Sequence, residues 1–273
     1  MAIPTVTMND GNDIPQIALG LWQVQDQAEF DPMFNAAVEA GYRHFDSAQA
    51  YQNEQYLGDG IKRHNLARGE VFVTTKIAVD NFGHDKAKQA FDESLRKLQM
   101  EYVDLLLLHF PVTETRRESW QALEEIQAAG TAKSIGVSNY TVKHLEEMRD
   151  YAKVTPAVNQ VELHVFLQQP ELIEYCQTNG IVVEAYSPLA HAQAGADDPV
   201  LQAIAAKHHK TFAQVMLRFL LQQDLVILPK SKTPSRIVEN MQVFDFELDA
   251  DDMQQLKGLD RNLRTCWDPT PVA

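Results

Sequence analysis

The sequence predicts an α/β fold, a closed (β/α)8 barrel preceded by a short N-terminal β-hairpin, and three observations carry that prediction. Eight short apolar runs recur along the chain, at 17–19, 42–45, 71–75, 103–108, 134–137, 157–161, 181–185 and 225–228. Amphipathic segments at helical spacing separate them, and apolar strands alternating with helices make a parallel sheet covered by helices. The 273 residues contain no linker, low-complexity tract or composition shift, so the units form one domain over 1–273. Eight units in a chain of this length close into a barrel.

At the N-terminus, Asn9-Asp10-Gly11-Asn12 is a turn signal between β-like segments 5–8 and 14–19, which together predict a small hairpin lying over one end of the barrel. The helices then follow from their periodicity: 85–98, for example, places Ala87, Ala90, Phe91, Leu95 and Leu98 on one face. Glycine closes several helices ahead of the next strand, as in Ala40-Gly41, Ala129-Gly130 and Asn179-Gly180. The interval from 186 to 225 is longer than one unit needs and predicts an extra short helix, Pro199–His208, before the helix 212–222. His208-His209 reads as its solvated end. The last stretch, 260–273, holds two prolines and a tryptophan and reads as irregular; such a tail can fold across a barrel mouth.

Composition narrows the function. The apolar share is 45%, and the formal charge is 24 − 38 = −14, which argues against nucleic acid or an anionic membrane as partner. Cys176 and Cys266 form no C-x-x-C pair, so neither a disulfide framework nor a metal site is expected. The start, Met1-Ala2-Ile3-Pro4-Thr5, has no secretory pattern, and no apolar run could span a bilayer, so a cytoplasmic location is expected; the chain is also expected to be a monomer. The sequon at Asn139-Tyr140-Thr141 is then coincidental.

The residues that end the apolar runs carry the chemistry. They are Gly20 and Trp22, Asp46, Lys76, His109, Ser138-Asn139, Gln160 and Glu162, Tyr186-Ser187, and Lys230-Ser231. Catalytic groups of a barrel gather at that face from several strands. One buried histidine is more often a satisfied core residue than a catalyst, and Asp46 alone could cap a turn. Charged groups on consecutive strands of one face are another matter, because each must be paired or used. Tyr51, five residues after Asp46, adds a phenol. There is no H-E-x-x-H, no G-x-S-x-G and no G-x-G-x-x-G, and Gly58-Asp59-Gly60 follows no strand.

Seven motifs in order resemble the aldo-keto reductase family: G-Y-R-H-F-D-S-A-Q-A-Y-Q-N-E, V-F-V-T-T-K, V-D-L-L-L-L-H-F-P, S-I-G-V-S-N, P-A-V-N-Q-V-E-L-H, E-A-Y-S-P-L-A and L-P-K-S-K-T-P-S-R-I-V-E-N. The resemblance covers nearly the whole chain. It implies a catalytic tetrad of Asp46, Tyr51, Lys76 and His109 and a small-molecule carbonyl substrate reduced with NADPH (NADP+ as product). In that scheme Tyr51 gives the proton, Lys76 lowers its pKa, Asp46 holds Lys76, and His109 orients the carbonyl. The resemblance places the nicotinamide at Ser138, Asn139, Gln160 and Tyr186, and the pyrophosphate near Ser187 and Leu189. Lys230, Ser231, Arg236, Glu239 and Asn240 fall at the adenosine end, where cations suit a 2′-phosphate and so NADPH over NADH.

Trp22, Ala78, His109 and Phe110 fall on the substrate side. Phe110, Ala78 and Leu21 depart from the commoner family residues, and the loop 111–118 is brief. A more open pocket with broad specificity follows, similar to the bacterial diketogluconate and methylglyoxal reductases. Two rival readings use the same barrel: a nucleotide-binding sensor with negligible turnover, and a hydrolase working through Asp46 and Glu162.

Overall fold

In a computed structural model, residues 3–191 and 195–273 are described. The chain opens with an antiparallel hairpin, β1 (Thr5–Thr7) and β2 (Asp13–Pro15), paired Val6 to Ile14. The alternation then begins with β3 (Leu19–Gly20), α1 (Gln27–Ala40), β4 (His44–Asp46), α2 (Glu54–Arg63), β5 (Phe72–Ile77) and α3 (His84–Leu98). It continues through β6 (Val103–Leu108), α4 (Arg116–Ala128), β7 (Ala132–Ser138), α5 (Val142–Met148), β8 (Val158–Glu162), α6 (Pro170–Thr178) and β9 (Val182–Tyr186). It ends with α7 (Pro199–His208), α8 (Phe212–Leu221), β10 (Val226–Leu228), α9 (Pro234–Met241) and α10 (Ala250–Lys257).

Strands β3 to β10 pair in sequence order, each parallel to the next. Closure comes from an Ile17–Ile227 bridge, with Ala18 N donating to Ile227 O at 2.9 Å and Gly20 N to Pro229 O at 3.1 Å. The expected barrel is therefore present, although its first strand begins two residues later than the run 17–19 suggests. The extra helix Pro199–His208 is present as α7.

Local chemistry explains the element ends. Asp26, Thr211 and Asp249 each accept a backbone N–H of the helix they cap, and Pro170, Pro199 and Pro234 stand at first helical positions. Gly41 ends α1 with φ 99°, which suits glycine. Gly58 lies inside α2, where a Cβ would come within 2.4 Å of Leu98 O; this glycine permits close packing of α2 on α3 and has no nucleotide role. His208 is paired, not solvated as expected: its Nε2 lies 2.7 Å from Asp252 Oδ2 on α10.

The two ends of the barrel interior differ. At the N-terminal end Met8 and Ile14 of the hairpin region pack on Phe72, Leu105, Leu107, Val158, Val182 and Val226, an apolar plug that excludes water. Toward the C-terminal end the inward positions turn polar. Helices cover the outside, with Phe30 stacked on Phe34 at a centroid distance of 5.0 Å and Phe34 tilted against Phe45 at 4.9 Å. Among the described residues, no helix is long and apolar enough to cross a membrane.

Candidate active site

Strand β4 delivers Asp46, and the short turn Gln49–Tyr51 carries Tyr51 back over it. Asn53 fixes that turn: its buried amide donates to Leu21 O at 2.8 Å and Val24 O at 3.2 Å and accepts from Ser47 Oγ at 2.7 Å. Glu54 accepts from Thr75 Oγ1 at 2.6 Å and ties α2 to β5. The residues following Tyr51 in the motif thus hold the loop in place.

Period-2 alternation aims Lys76 of β5 inward. Its ammonium donates to Asp46 Oδ1 and Oδ2 at 2.6 and 2.8 Å, to Ser47 O at 2.9 Å and to Tyr51 Oη at 3.4 Å. Every N–H is spent, which a wholly buried cation requires. Burial opposes the charge on Lys76, yet Asp46 outweighs it and raises the pKa above the usual lysine value. Burial also pushes the Tyr51 hydroxyl above its usual value, and the opposing pull of Lys76 does not overcome it. The lowering expected from sequence is therefore only part of the balance. His109, at the end of β6, packs edge-on against Tyr51 with centroids 5.6 Å apart. Burial first, and Lys76 second, depress its pKa to about 3, so the ring is a neutral imidazole at physiological pH.

Above this floor opens a cavity of about 640 Å³. Its walls include Trp22, Asp46, Tyr51, His109, Ser138, Asn139, Gln160, Tyr186, Ser187, Leu189, Lys230, Ser231 and Arg236, while Lys76 lies beneath. Asn139 adopts φ 67°, and its side chain accepts from Tyr186 Oη at 2.7 Å and donates to His109 O at 3.0 Å. Ser138 Oγ donates to Gln160 O at 2.9 Å. Four expected residues lie off the cavity wall. Glu239 turns away to accept from Thr211 Oγ1 at 2.8 Å, and Asn240 is on the buried face of α9. Phe110 and Ala78 sit to one side, with the Phe110 ring 6.4 Å from Trp267.

The rim contains residues that strand ends do not reveal. The tail crosses the mouth, because both oxygens of buried Glu162 hold it: Oε1 accepts from Thr265 N and Oγ1 at 2.6 Å, and Oε2 from Cys266 N at 3.1 Å. Trp267 is thereby set 6.2 Å from His109, ring to ring. Glu162 is consumed as an anchor and Asp46 is clamped by Lys76, which removes the hydrolase alternative. Lys232 also borders the cavity but pairs with Glu29 at 2.6 Å; Lys230 and Arg236 have no acidic partner among the described residues. Beneath the floor lies Glu184, unassigned by the sequence reading although it stands inside an apolar strand.

The model of the Aldo/keto reductase family matches residues 16–261. A glyoxal reductase of Bacillus subtilis is 42% identical over 265 residues, covering 97% of this chain and 96% of its own. A methylglyoxal reductase of Escherichia coli is 42% identical over 273 residues, covering 98% of each. Among solved structures, an aldo-keto reductase from a Medee basin deep-sea metagenome library superposes with a TM-score of 0.95 at 38% identity, over 99% of this chain and 100% of that one. An aldo-keto reductase complexed with NADPH superposes with a TM-score of 0.92 at 32% identity, over 97% of this chain and 90% of that one.

Proposed function

The chain belongs to the aldo/keto reductase family, and from that premise we propose that it reduces small, reactive carbonyls such as methylglyoxal and glyoxal with NADPH, using Tyr51 as the general acid. The observation that carries the reading is the Asp46–Lys76–Tyr51 chain at the cavity floor beside a neutral His109. Nicotinamide, when bound, supplies the hydride. The lining suits it: Asn139 and Gln160 stand on the wall, Gln160 with its amide oxygen uncommitted, Tyr186 offers a ring, and Lys230 and Arg236 are cations without an acidic partner among the described residues.

The protein's own groups then do the rest. The phenol is a weak acid that keeps its proton well above neutral pH, so it must be drawn out as it is used. Lys76, 3.4 Å away, stabilises the phenolate that forms as Tyr51 gives up its proton. Asp46 keeps Lys76 aimed and charged. The neutral imidazole of His109 donates an N–H to the carbonyl oxygen without competing as an acid. Breadth of substrate follows from a cavity of about 640 Å³ with an exposed tryptophan at either side, Trp22 and Trp267. The cavity lining comes from one chain, which is compatible with work as a monomer, and a cytoplasmic pool of NADPH suits it.

Loss of absorbance at 340 nm with NADPH and methylglyoxal tests the proposal. Tyr51→Phe keeps the ring and removes the proton, so turnover falls by about 100-fold or more while cofactor binding survives. Near-normal turnover in Tyr51→Phe would reassign the acid, and no turnover in the wild type would favour the sensor.

A further inference from the structure

Below the Asp46–Lys76 pair, the barrel interior holds a second carboxyl with no assigned work. Glu184 of β9 is wholly buried. The Gln160 amide nitrogen lies 2.9 Å from Glu184 Oε2 and 2.9 Å from Asp46 Oδ2, so both of its N–H groups are committed, one to each carboxyl. Glu184 Oε1 has no hydrogen-bond partner among the described residues, and His44 Nε2 lies 3.8 Å away.

The charges around it can be counted element by element. From β5, Lys76 is already bonded to both oxygens of Asp46, and Thr74 offers only a hydroxyl. From β4, His44 lies beyond hydrogen-bond reach of Glu184, and burial disfavours its charged form. Its Nδ1–H donates to Pro15 O at 3.2 Å, its Nε2 accepts from Thr74 Oγ1 at 3.1 Å, and burial depresses its pKa to about 3. From β8, Gln160 is neutral. Two buried carboxyls therefore share one amide and one ammonium, and an ionised Glu184 would be a poorly compensated buried charge.

We propose that Glu184 is a proton-holding positioning residue of the catalytic floor, a neutral acid that leaves Asp46 as the sole counter-charge of Lys76 and fixes Gln160 with its amide nitrogen inward and its oxygen toward the cavity. The inference rests on the reductase reading for its catalytic consequence only. When Glu184 ionises, it draws on Lys76, and Lys76 then stabilises the Tyr51 phenolate less well. Carbonyl reduction falls on the alkaline side for that reason. A ligand at Gln160 must also bring a donor, as a carboxamide does. Burial, with Asp46 adding to it, pushes the Glu184 pKa up to about 8. The sign for stability follows: a carboxyl whose folded pKa is raised gives a contribution present below the unfolded value near 4.3 and lost as pH rises toward 8.

The test compares the wild type with E184Q. A carboxylic-acid C=O band above about 1700 cm⁻¹ in the infrared should be present in the wild type at pH 6.5 and weakened in E184Q. Glu54, a second buried carboxyl, is the same in both proteins and cancels in the difference spectrum. The difference in Tm between E184Q and wild type should shift in favour of E184Q from pH 5 to pH 8.5. NADPH-linked reduction should fall severalfold in the wild type on the alkaline side, between pH 7 and pH 9, and much less in E184Q. An unchanged band or a pH-independent Tm difference would show that Glu184 is ionised and overturn the proposal. An unchanged alkaline limb would overturn its link to catalysis. The infrared and melting arms need no turnover, so they stand apart from any failure of the reductase reading. If E184Q does not fold, wild type labelled with [13C]glutamate still decides: a band that moves with the label and fades between pH 7 and 9 supports a neutral Glu184, and its absence rejects it.

Discussion

At the floor of the cavity Asp46, Lys76 and Gln160 project from three strands, and none is more than 3% exposed; at the rim Trp22 and Trp267 project from loops and are 37% and 59% exposed. The floor is made of groups that satisfy one another, ammonium to carboxylate to amide, so chemistry and folding depend on the same contacts. The rim carries Lys230 and Arg236, cations without an acidic partner among the described residues and open to a ligand. A change in the floor should therefore cost stability and turnover together, and a change in the rim should cost binding alone.

The largest effect falls on the floor. Lys76→Met strands Asp46 in the interior without its ammonium, and breaking one partner of a buried pair costs about 3–5 kcal/mol. Turnover should fall by about 100-fold or more, since the phenolate loses its cation. Urea unfolding beside NADPH-linked turnover measures both. A variant that loses turnover yet keeps its full unfolding free energy would break the claim that the two depend on the same contacts.

The next effect belongs to the rim. Arg236 stands on the first turn of α9 and has no ion pair among the described residues. A hydrogen bond to a charged group contributes roughly 1.5–3 kcal/mol, about 10- to 150-fold in affinity. Arg236→Ala should weaken NADPH by that order, leave NADH nearly unchanged and leave Tm alone. Titration by tryptophan quenching separates the cases, and equal weakening of both cofactors would move Arg236 from phosphate recognition to adenine or fold.

The same division explains what could be read from the sequence. Asp46, Lys76 and His109 end apolar strands, where an ionisable group is chemically anomalous and so visible. Trp267 was not visible, because its place over His109 depends on Glu162 holding Thr265 and Cys266 about a hundred residues along the chain, and no local pattern encodes that. Glu184 could have been seen. It shares the inward parity of Val182 and Tyr186, but a strand read as a continuous apolar run hides an acid within it. At Tyr51 the pull of Lys76 is legible in the motif, whereas the burial of the phenol, which outweighs it, depends on the closed barrel.

The smallest effect tests the boundary between floor and rim. Ala78 follows Phe72, Thr74 and Lys76 in parity, so it continues the inward face of β5 just past the strand's end. It is half-buried and off the cavity wall, and its N–H is held by Gln49 Oε1 at 2.9 Å. A methyl group leaves this position off the cavity wall, and the larger indole is the substitution that tests whether it borders the substrate. Ala78→Trp should therefore lower kcat/KM for phenylglyoxal relative to methylglyoxal by about fivefold, roughly 1 kcal/mol, the low end of what one pocket contact contributes. Because the backbone contact to Gln49 does not involve the side chain, Tm and NADPH affinity should not move. Equal losses for both substrates would mean that the indole disturbs the turn carrying Tyr51, and position 78 would then belong with the floor.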